Sequence, residues 1–393
     1  MNGTDSNPAT GTVWLLAPDP GFRNNRATLM ANTLAGAGYR VTLHVGEVCL
    51  RPAGLDGAVE MVADIPRHID TPGTGAGALE VLDFSRVDLV QVVGPGLLHW
   101  ATARLPAEIP LVYDVPGGGT EPVVETGEGW AARAGKLWNR LRVSLGERQE
   151  AGRIDAVLCP GYLYGEFLQR EFKLGRVPVV PIYPAHPYQE PEARAPKGWA
   201  RRGRHVAAVL GGDAGNLEAA IHAVARLREL DLAVVNGGGD WEQAHGWANG
   251  CGMNGRLHRI NVPETEVLST LAAFDVGLVL SADNRQTDLY DPPDALFSFL
   301  MAGLPVVASD LPGLERMVAA HNFGLVTDPG SVDHVSDNLA RVCLEPAVHG
   351  RLAHNVAVVR ERRYSWEVQG NRLLALYRQL LSERAGTAFA GSG

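Results

Sequence analysis

DPPDALFSFLMAGLPVVASDLPG, residues 291–313, decides the fold. Its apolar residues Leu296, Phe297, Leu300 and Met301 recur at helical spacing, and Gly303 stops the helix. LPVVAS, residues 304–309, follows as a short apolar run of the kind that forms a buried strand. A helix that ends at glycine and runs into a buried strand is half of a βαβ unit, and such units build parallel sheets. Asp294 and Ser298 lie four residues apart, so they share one helix face. That face is where the chemistry of the stretch lies.

The same alternation spreads outward in both directions. On the C-terminal side come a helix in PGLERMVAAHNFG, the short LVTDP, and a helix in SVDHVSDNLARVCLEP. SWEVQGNRLLALYRQLLSE closes the chain with a helical stripe at Leu373, Leu374, Leu376, Tyr377, Leu380 and Leu381. On the N-terminal side, strands read in HVAAVLGG, LAVVNGGG and VGLVLS, with helices in NLEAAIHAVARLREL and ETEVLSTLAAF. A first set of strands reads in TVWLLAP, YRVTLHV, VDLVQVVG, IPLVYDV and DAVLCPG, with a helix at Ala27–Ala37. Between the two sets, PVVPIYPAHPYQEPEARAPKG is Pro-rich and breaks helix and strand alike, which places the domain linker there. The expected layout is a disordered lead-in at 1–12, an N-terminal domain at 13–187 and a C-terminal domain at 188–365. A closing helix and tail at 366–393 cross back to the first domain. The fold class is α/β, with two doubly wound Rossmann-like domains facing each other across a cleft. In such sheets ligands bind beyond the C-terminal ends of the strands.

Composition narrows the function. At 393 residues the chain is too long for one core, so two domains are expected. The net charge of −9 argues against a nucleic-acid partner. No apolar run is long enough to span a bilayer, and the polar start MNGTDSNPATGT lacks the marks of a signal peptide. Cys49, Cys159, Cys251 and Cys343 are scattered without a CxxC pair, so no metal is expected and a cytoplasmic location fits. The span Trp130–Arg153 reads as a helix with a basic side. Peripheral membrane contact is an option there, but a solvated face is the favoured reading.

Over nearly the whole chain, and most strongly from Val206 onward, the sequence resembles the retaining glycosyltransferases of family 4, which have the GT-B fold. The resemblance rests on RLHRINVPETEVLSTLAAFDVGLVLS, on YDPPDALFSFLMAGLPVVASDLPGLERMV and on YSWEVQGNRLLALYRQLL. It implies a sugar transferred from a nucleotide-activated donor, with no cofactor beyond that donor. The acceptor would be a small molecule or a glycan, and a partner glycosyltransferase subunit is a further expectation. Several family positions differ. The carboxylate that the family sets against the donor ribose corresponds to Ser298, and its preceding Asn-Lys pair corresponds to Asp294 and Ala295. The arginine and lysine that grip the diphosphate are absent from GGDAGN, residues 211–216. Lys136, Lys173 and Lys197 are the chain's lysines, all ahead of the second domain's first strand. The family's histidine after Asp114 is replaced within Asp114–Gly117.

The candidate donor site is therefore Gly211, Gly212, Gly239, Arg285, Asp291, Asp294 and Ser298. Arg285 stands in for the missing diphosphate clamp. Asp294 binds sugar hydroxyls or a cation, or else it is a plain helix cap, which capping preferences favour. Ser298 is a weaker hydroxyl contact than a carboxylate, or a small polar filler. The candidate acceptor site is Arg23 with Gly117, Gly118 and Gly119, whose backbone N–H groups suit an oxyanion, with a simple mobile loop as the equally weighted alternative for the glycine run. Asp114 is the catalytic candidate, with a loop-capping role as the alternative. His99 and His186 lie near loops at strand ends and read as structural. NGGGD lacks GxGxxG spacing, which argues against a dehydrogenase. The leading function is a retaining glycosyltransferase. The alternatives are a non-catalytic partner or ligand-binding protein of the same fold, and an enzyme with a donor that lacks the diphosphate.

Overall fold

The computed structural model describes residues 11–19, 22–47, 49–65, 82–115, 150–196, 199, 204–211, 214–238, 241–281 and 289–390. Side chains are described throughout these ranges except at 22–24, 214–216 and 385–390. The lead-in at 1–10 and most of the 130–153 span lie outside the described residues. The chain divides into two compact units, Met1–Pro184 with Gln369–Gly393, and Ala185–Val368. The sequence sets the boundaries at 187/188 and 365/366, while the units divide at 184/185 and 368/369.

The first unit is built on a seven-stranded parallel sheet in the order β3-β2-β1-β4-β5-β6-β7. Its strands are β1 (Thr12–Leu16), β2 (Arg40–Gly46), β3 (Glu60–Ile65), β4 (Leu89–Val93), β5 (Leu111–Asp114), β6 (Ala156–Cys159) and β7 (Val179–Pro181). The helices are α1 (Phe22–Gly36), α2 (Pro95–Arg104) and α3 (Tyr162–Glu171). The central strands β4, β5 and β6 are apolar and almost wholly buried, as expected of a sheet covered on both faces. The two edge strands differ from the sequence reading. In β3 the segment EMVADI alternates poorly and is only partly buried. β7 lies in the Pro-rich segment read as breaking all structure; at an edge a proline costs no ladder bond.

The second unit carries a six-stranded parallel sheet in the order β10-β9-β8-β11-β12-β13. The strands are β8 (His205–Leu210), β9 (Leu230–Val235), β10 (Leu257–Ile260), β11 (Val276–Val279), β12 (Val306–Ser309) and β13 (Gly324–Thr327). The helices are α4 (Ala214–Ala225), α5 (Trp241–Gly250), α6 (Glu264–Leu271), α7 (Asp294–Met301), α8 (Pro312–His321), α9 (Val332–Leu344) and α10 (Pro346–Arg362). A long α11 (Trp366–Ala390) ends the described chain.

The quoted stretch forms α7 and β12, and Leu296, Phe297, Leu300 and Met301 are all buried. Gly277 explains how α7 seats on the sheet. A Cβ there would lie 2.4 Å from Cγ of Phe299, so only glycine lets the ring lie against β11. Gly303 ends the helix at φ +84°, a backbone that disfavours any side chain. The stripe of α11 is likewise apolar inward, with Leu373, Leu376, Tyr377 and Leu380 buried.

Candidate functional site

In the second unit the strand order reverses between β8 and β11, which pair directly through Ala207–Val276 and Ala208–Gly277. A doubly wound sheet opens a ligand crevice at the C-terminal ends of such a pair. Gly211 stands there, just after β8. It has φ +64°, and among the described residues a Cβ on it would meet nothing within 4 Å. The loop after β9 backs it. A Cβ on Gly237 would come 2.3 Å from Val234 Cγ1, with the Gly211 carbonyl oxygen 3.6 Å away. Asn236, at φ 46°, donates to the Val262 carbonyl at 2.9 Å and accepts from the Val262 N–H at 2.8 Å. On the other side, the buried Ser309 hydroxyl accepts from the Ser281 N–H at 2.8 Å and donates to its carbonyl at 3.2 Å. The floor of the crevice is thus cross-linked on both flanks. Gly212, Gly239 and Arg285 lie outside the described residues.

Above this floor, α7 begins with Pro293 at the capping position and no side-chain cap. Asp294 is therefore the first helical residue and not the cap. Its negative charge in the first turn complements the helix dipole. Asp291 is buried at 7% exposure. The turn between them and the preceding loop is clamped by Gly313, whose N–H donates to the Leu289 carbonyl at 2.8 Å. A Cβ on Gly313 would lie 2.7 Å from the Tyr290 carbonyl oxygen, so this clamp requires glycine.

Ser298 points inward, at 4% exposure. Its hydroxyl lies 2.9 Å from Nε2 of His186 and 3.4 Å from the Asp294 carbonyl. His186 is held in turn by its own carbonyl, which accepts the Trp366 N–H at 2.8 Å. Burial pushes the imidazole down to about 4, so it is neutral at pH 7. The position that resembles the family's ribose-binding carboxylate thus holds a hydroxyl paired with a neutral, partly buried imidazole. The sequence signals His186 only as a lone histidine between Ala185 and Pro187.

In the first unit, Asp114 ends β5 and is 2% exposed. Arg26 grips it with two donors, Nη2 at 2.8 Å and Nε at 3.2 Å, and Gln91 Nε2 donates to it at 3.2 Å. Arg26 also donates to the Ile182 carbonyl, and Tyr377 donates to Gln91 Oε1. Burial, then the Asp114 charge, pushes the Tyr377 phenol well above its usual range, which keeps it a donor. Asp114 is the hub of a buried polar network that joins α1, β4, β5, the segment after β7, and α11. Such a network fixes geometry because each member is satisfied. Sequence reasoning missed Arg26, Gln91 and Tyr377 as a set, because their spacing along the chain gives no local pattern. Arg23 falls in α1, and its side chain lies outside the described residues, as do Gly117, Gly118 and Gly119. His99 is largely exposed and pairs with Glu150.

Among the described residues, no cluster of three or more His, Cys, Asp or Glu is placed to hold a metal ion. No described helix is long and apolar enough to cross a membrane.

No protein-family model matches the sequence. Solved structures similar to this chain include sucrose-phosphate synthase from Thermosynechococcus elongatus. It has a TM-score of 0.71 at 16% identity, over 95% of this chain and 100% of that one. WaaG, a glycosyltransferase involved in lipopolysaccharide biosynthesis, matches at a TM-score of 0.62 and 15% identity, over 92% and 98%. The chain has the GT-B fold. HepE from Anabaena, solved in complex with UDP-glucose, matches at 0.61 and 13% identity, over 94% and 99%. In sequence, alpha-D-kanosaminyltransferase from Streptomyces kanamyceticus is 28% identical over 76 residues, 19% of this chain and 20% of that protein. The matched stretch thus spans about a fifth of the curated relative's length.

Proposed function

We propose that this protein is a glycosyltransferase that moves a sugar from a nucleotide-activated donor to a small-molecule or glycan acceptor. The observation that carries the reading is the crevice between β8 and β11, bordered by the backbone of Gly211 and clamped at Gly313. A glycine backbone at a switch point suits the close approach of a nucleotide. HepE, a structure of similar fold, was solved with UDP-glucose, which supports a donor of that class. Catalysis would rest on positioning and on stabilising an oxocarbenium-like transition state, with retention and without a metal. Asp294 and Asp291 are the carboxylates proposed to face the donor.

A second reading has its own observation. The Ser298 hydroxyl is paired with Nε2 of His186, where the family resemblance expects a carboxylate on the ribose. That exchange favours a protein that keeps the binding crevice but not the transfer step. Isothermal titration against UDP, GDP, ADP, dTDP and their sugar conjugates tests both. Binding with turnover of a sugar donor supports the first, and binding without turnover the second. Binding by none of them overturns both.

A further inference from the structure

Along β10 the carbonyls of Arg256 and Ile260 accept the Leu232 and Asn236 N–H groups, each at 2.8 Å. Val262 continues the row by exchanging hydrogen bonds with the Asn236 side chain. The even-numbered residues thus face β9. In a parallel pair the residues between them turn both backbone groups the other way. β10 is the edge of its sheet, so the N–H and C=O groups of Leu257, Arg259 and Asn261 point outward. Among the described residues none of these groups has a partner.

A cavity of about 730 Å³ runs along this row and is lined by every residue from Leu257 to Pro263. Trp199 and Trp241 are its walls. The Arg259 guanidinium lies 5.4 Å from the Trp241 centroid, and the His258 ring lies 6.1 Å from that of Trp199. Neighbouring residues of a strand point to opposite faces, so one tryptophan stands on each face and the bare edge lies between them. We infer that this groove takes an extended peptide segment of another protein as an added strand beside β10.

The backbone selects the ligand. Outward donors and acceptors recur about every 6.7 Å, a spacing that another β backbone matches residue for residue. The walls make the site narrow. A single strand enters between them, whereas the β10 edge of a second copy carries walls of its own that meet these first.

The other edges are closed. β7 ends in Pro181, and the Val326 carbonyl of β13 accepts from Asn338 Nδ2 at 3.0 Å. β3 pairs across a register irregularity and carries Glu60 and Asp64. An edge without such devices is a template for a further strand.

Charge sets the side chains of the peptide. Arg259 is the exposed cation on the Trp241 face, so a carboxylate opposite it is favoured. On the Trp199 face the neighbouring β10 residue is the buried Ile260, which suits an apolar side chain. Glu266 stands beyond Pro263, which has no N–H and ends the row. The preferred segment alternates acidic and apolar residues. The proposal does not depend on whether the crevice at β8 and β11 transfers sugar.

The test is isothermal titration of the full chain with a capped six-residue peptide of alternating glutamate and valine. Its lysine–valine counterpart is the charge control. Two further versions are N-methylated on the glutamates or on the valines, since only one of those sets turns its N–H groups towards β10. The glutamate peptide is expected to bind best, and one N-methylated version to lose at least tenfold while the other keeps its affinity. Arg259→Glu should reverse the preference to the lysine peptide. Asn261→Pro removes one outward donor, leaves the bonds to β9 in place and should weaken binding at least fivefold. Arg259 is exposed, so its variant stays informative if Asn261→Pro fails to fold. Overturning results are no binding by any peptide, N-methylation that acts alike on both sets, or affinities that both variants leave unchanged. Sedimentation of the chain alone as a dimer that Asn261→Pro dissociates would also overturn it, by giving the edge to a second copy.

Discussion

Nε2 of His186 lies 2.9 Å from the hydroxyl of Ser298, inside the second unit, where Ser298 is buried and His186 partly buried. This pair makes stability depend on acid. The folded state holds His186 at about 4, below its ordinary 6.5. Between those values the unfolded chain binds the proton and the folded chain does not, so stability falls as pH drops. The contribution is fully present above about 6.5 and is lost as pH falls towards 4, amounting to about 3 kcal/mol. Burial also lowers His321, which adds to the loss in the same direction. Urea unfolding at pH 7, 5.5 and 4 should show this slope, and His186→Asn should flatten it. An unchanged slope in that variant would remove His186 as its source.

Asp114 is expected to act through structure. Asp114→Ala leaves the buried Arg26 guanidinium without its counter-charge, at a cost of about 3–5 kcal/mol. Tyr377→Phe removes one donor from Gln91, at about 1–3 kcal/mol. Denaturant midpoints measure both. If Asp114→Ala kept its midpoint and lost only turnover, Asp114 would be a catalytic residue instead.

Two glycines of the second unit separate stability from binding. Gly277→Ala drives a methyl into the Phe299 ring and should cost about 1–3 kcal/mol. It sits within β11, so nucleotide affinity of the folded fraction should stay close to wild type. Gly313→Ala meets the Tyr290 carbonyl and must displace the loop ahead of α7. Nucleotide affinity should fall at least tenfold there. Thermal melts paired with titration distinguish the two, and equal effects on both readouts would refute the assignment of Gly313 to the crevice.

The residues that proved readable in advance share a physical trait. Leu296, Phe297, Leu300 and Met301 announce α7 because burial imposes a periodicity on neighbours in sequence. The parallel order of both sheets follows from the alternation of strand and helix, since parallel neighbours need crossovers. What stayed hidden is set by distance along the chain. Arg26, Gln91, Asp114 and Tyr377 converge from four separate elements, and no local pattern marks such a meeting. His186 and Ser298 are 112 residues apart. β3, β7 and β10 escaped notice because edge strands are short and only partly buried, which erases the apolar run.

Gly211 offers the sharpest test of where the donor sits. Its φ of +64° is comfortable for glycine and costs a side chain roughly 1 kcal/mol, while no described residue comes within 4 Å of its missing Cβ. A substitution there should therefore fold, with a modest loss of stability, and place its side chain at the mouth of the crevice. Gly211→Asp adds a carboxylate where the proposed donor brings a diphosphate. Like charges a few ångströms apart in a partly desolvated site repel, so donor affinity should fall at least tenfold. Gly211→Asn, similar in shape and uncharged, separates charge from bulk, and asparagine tolerates this backbone well. Affinity for a nucleoside diphosphate should fall in the order wild type, Asn, Asp, with the Asp variant partly restored at high salt because screening weakens the repulsion. Equal loss in both variants would mean that the site excludes bulk and not charge. No loss in either would move the donor away from β8.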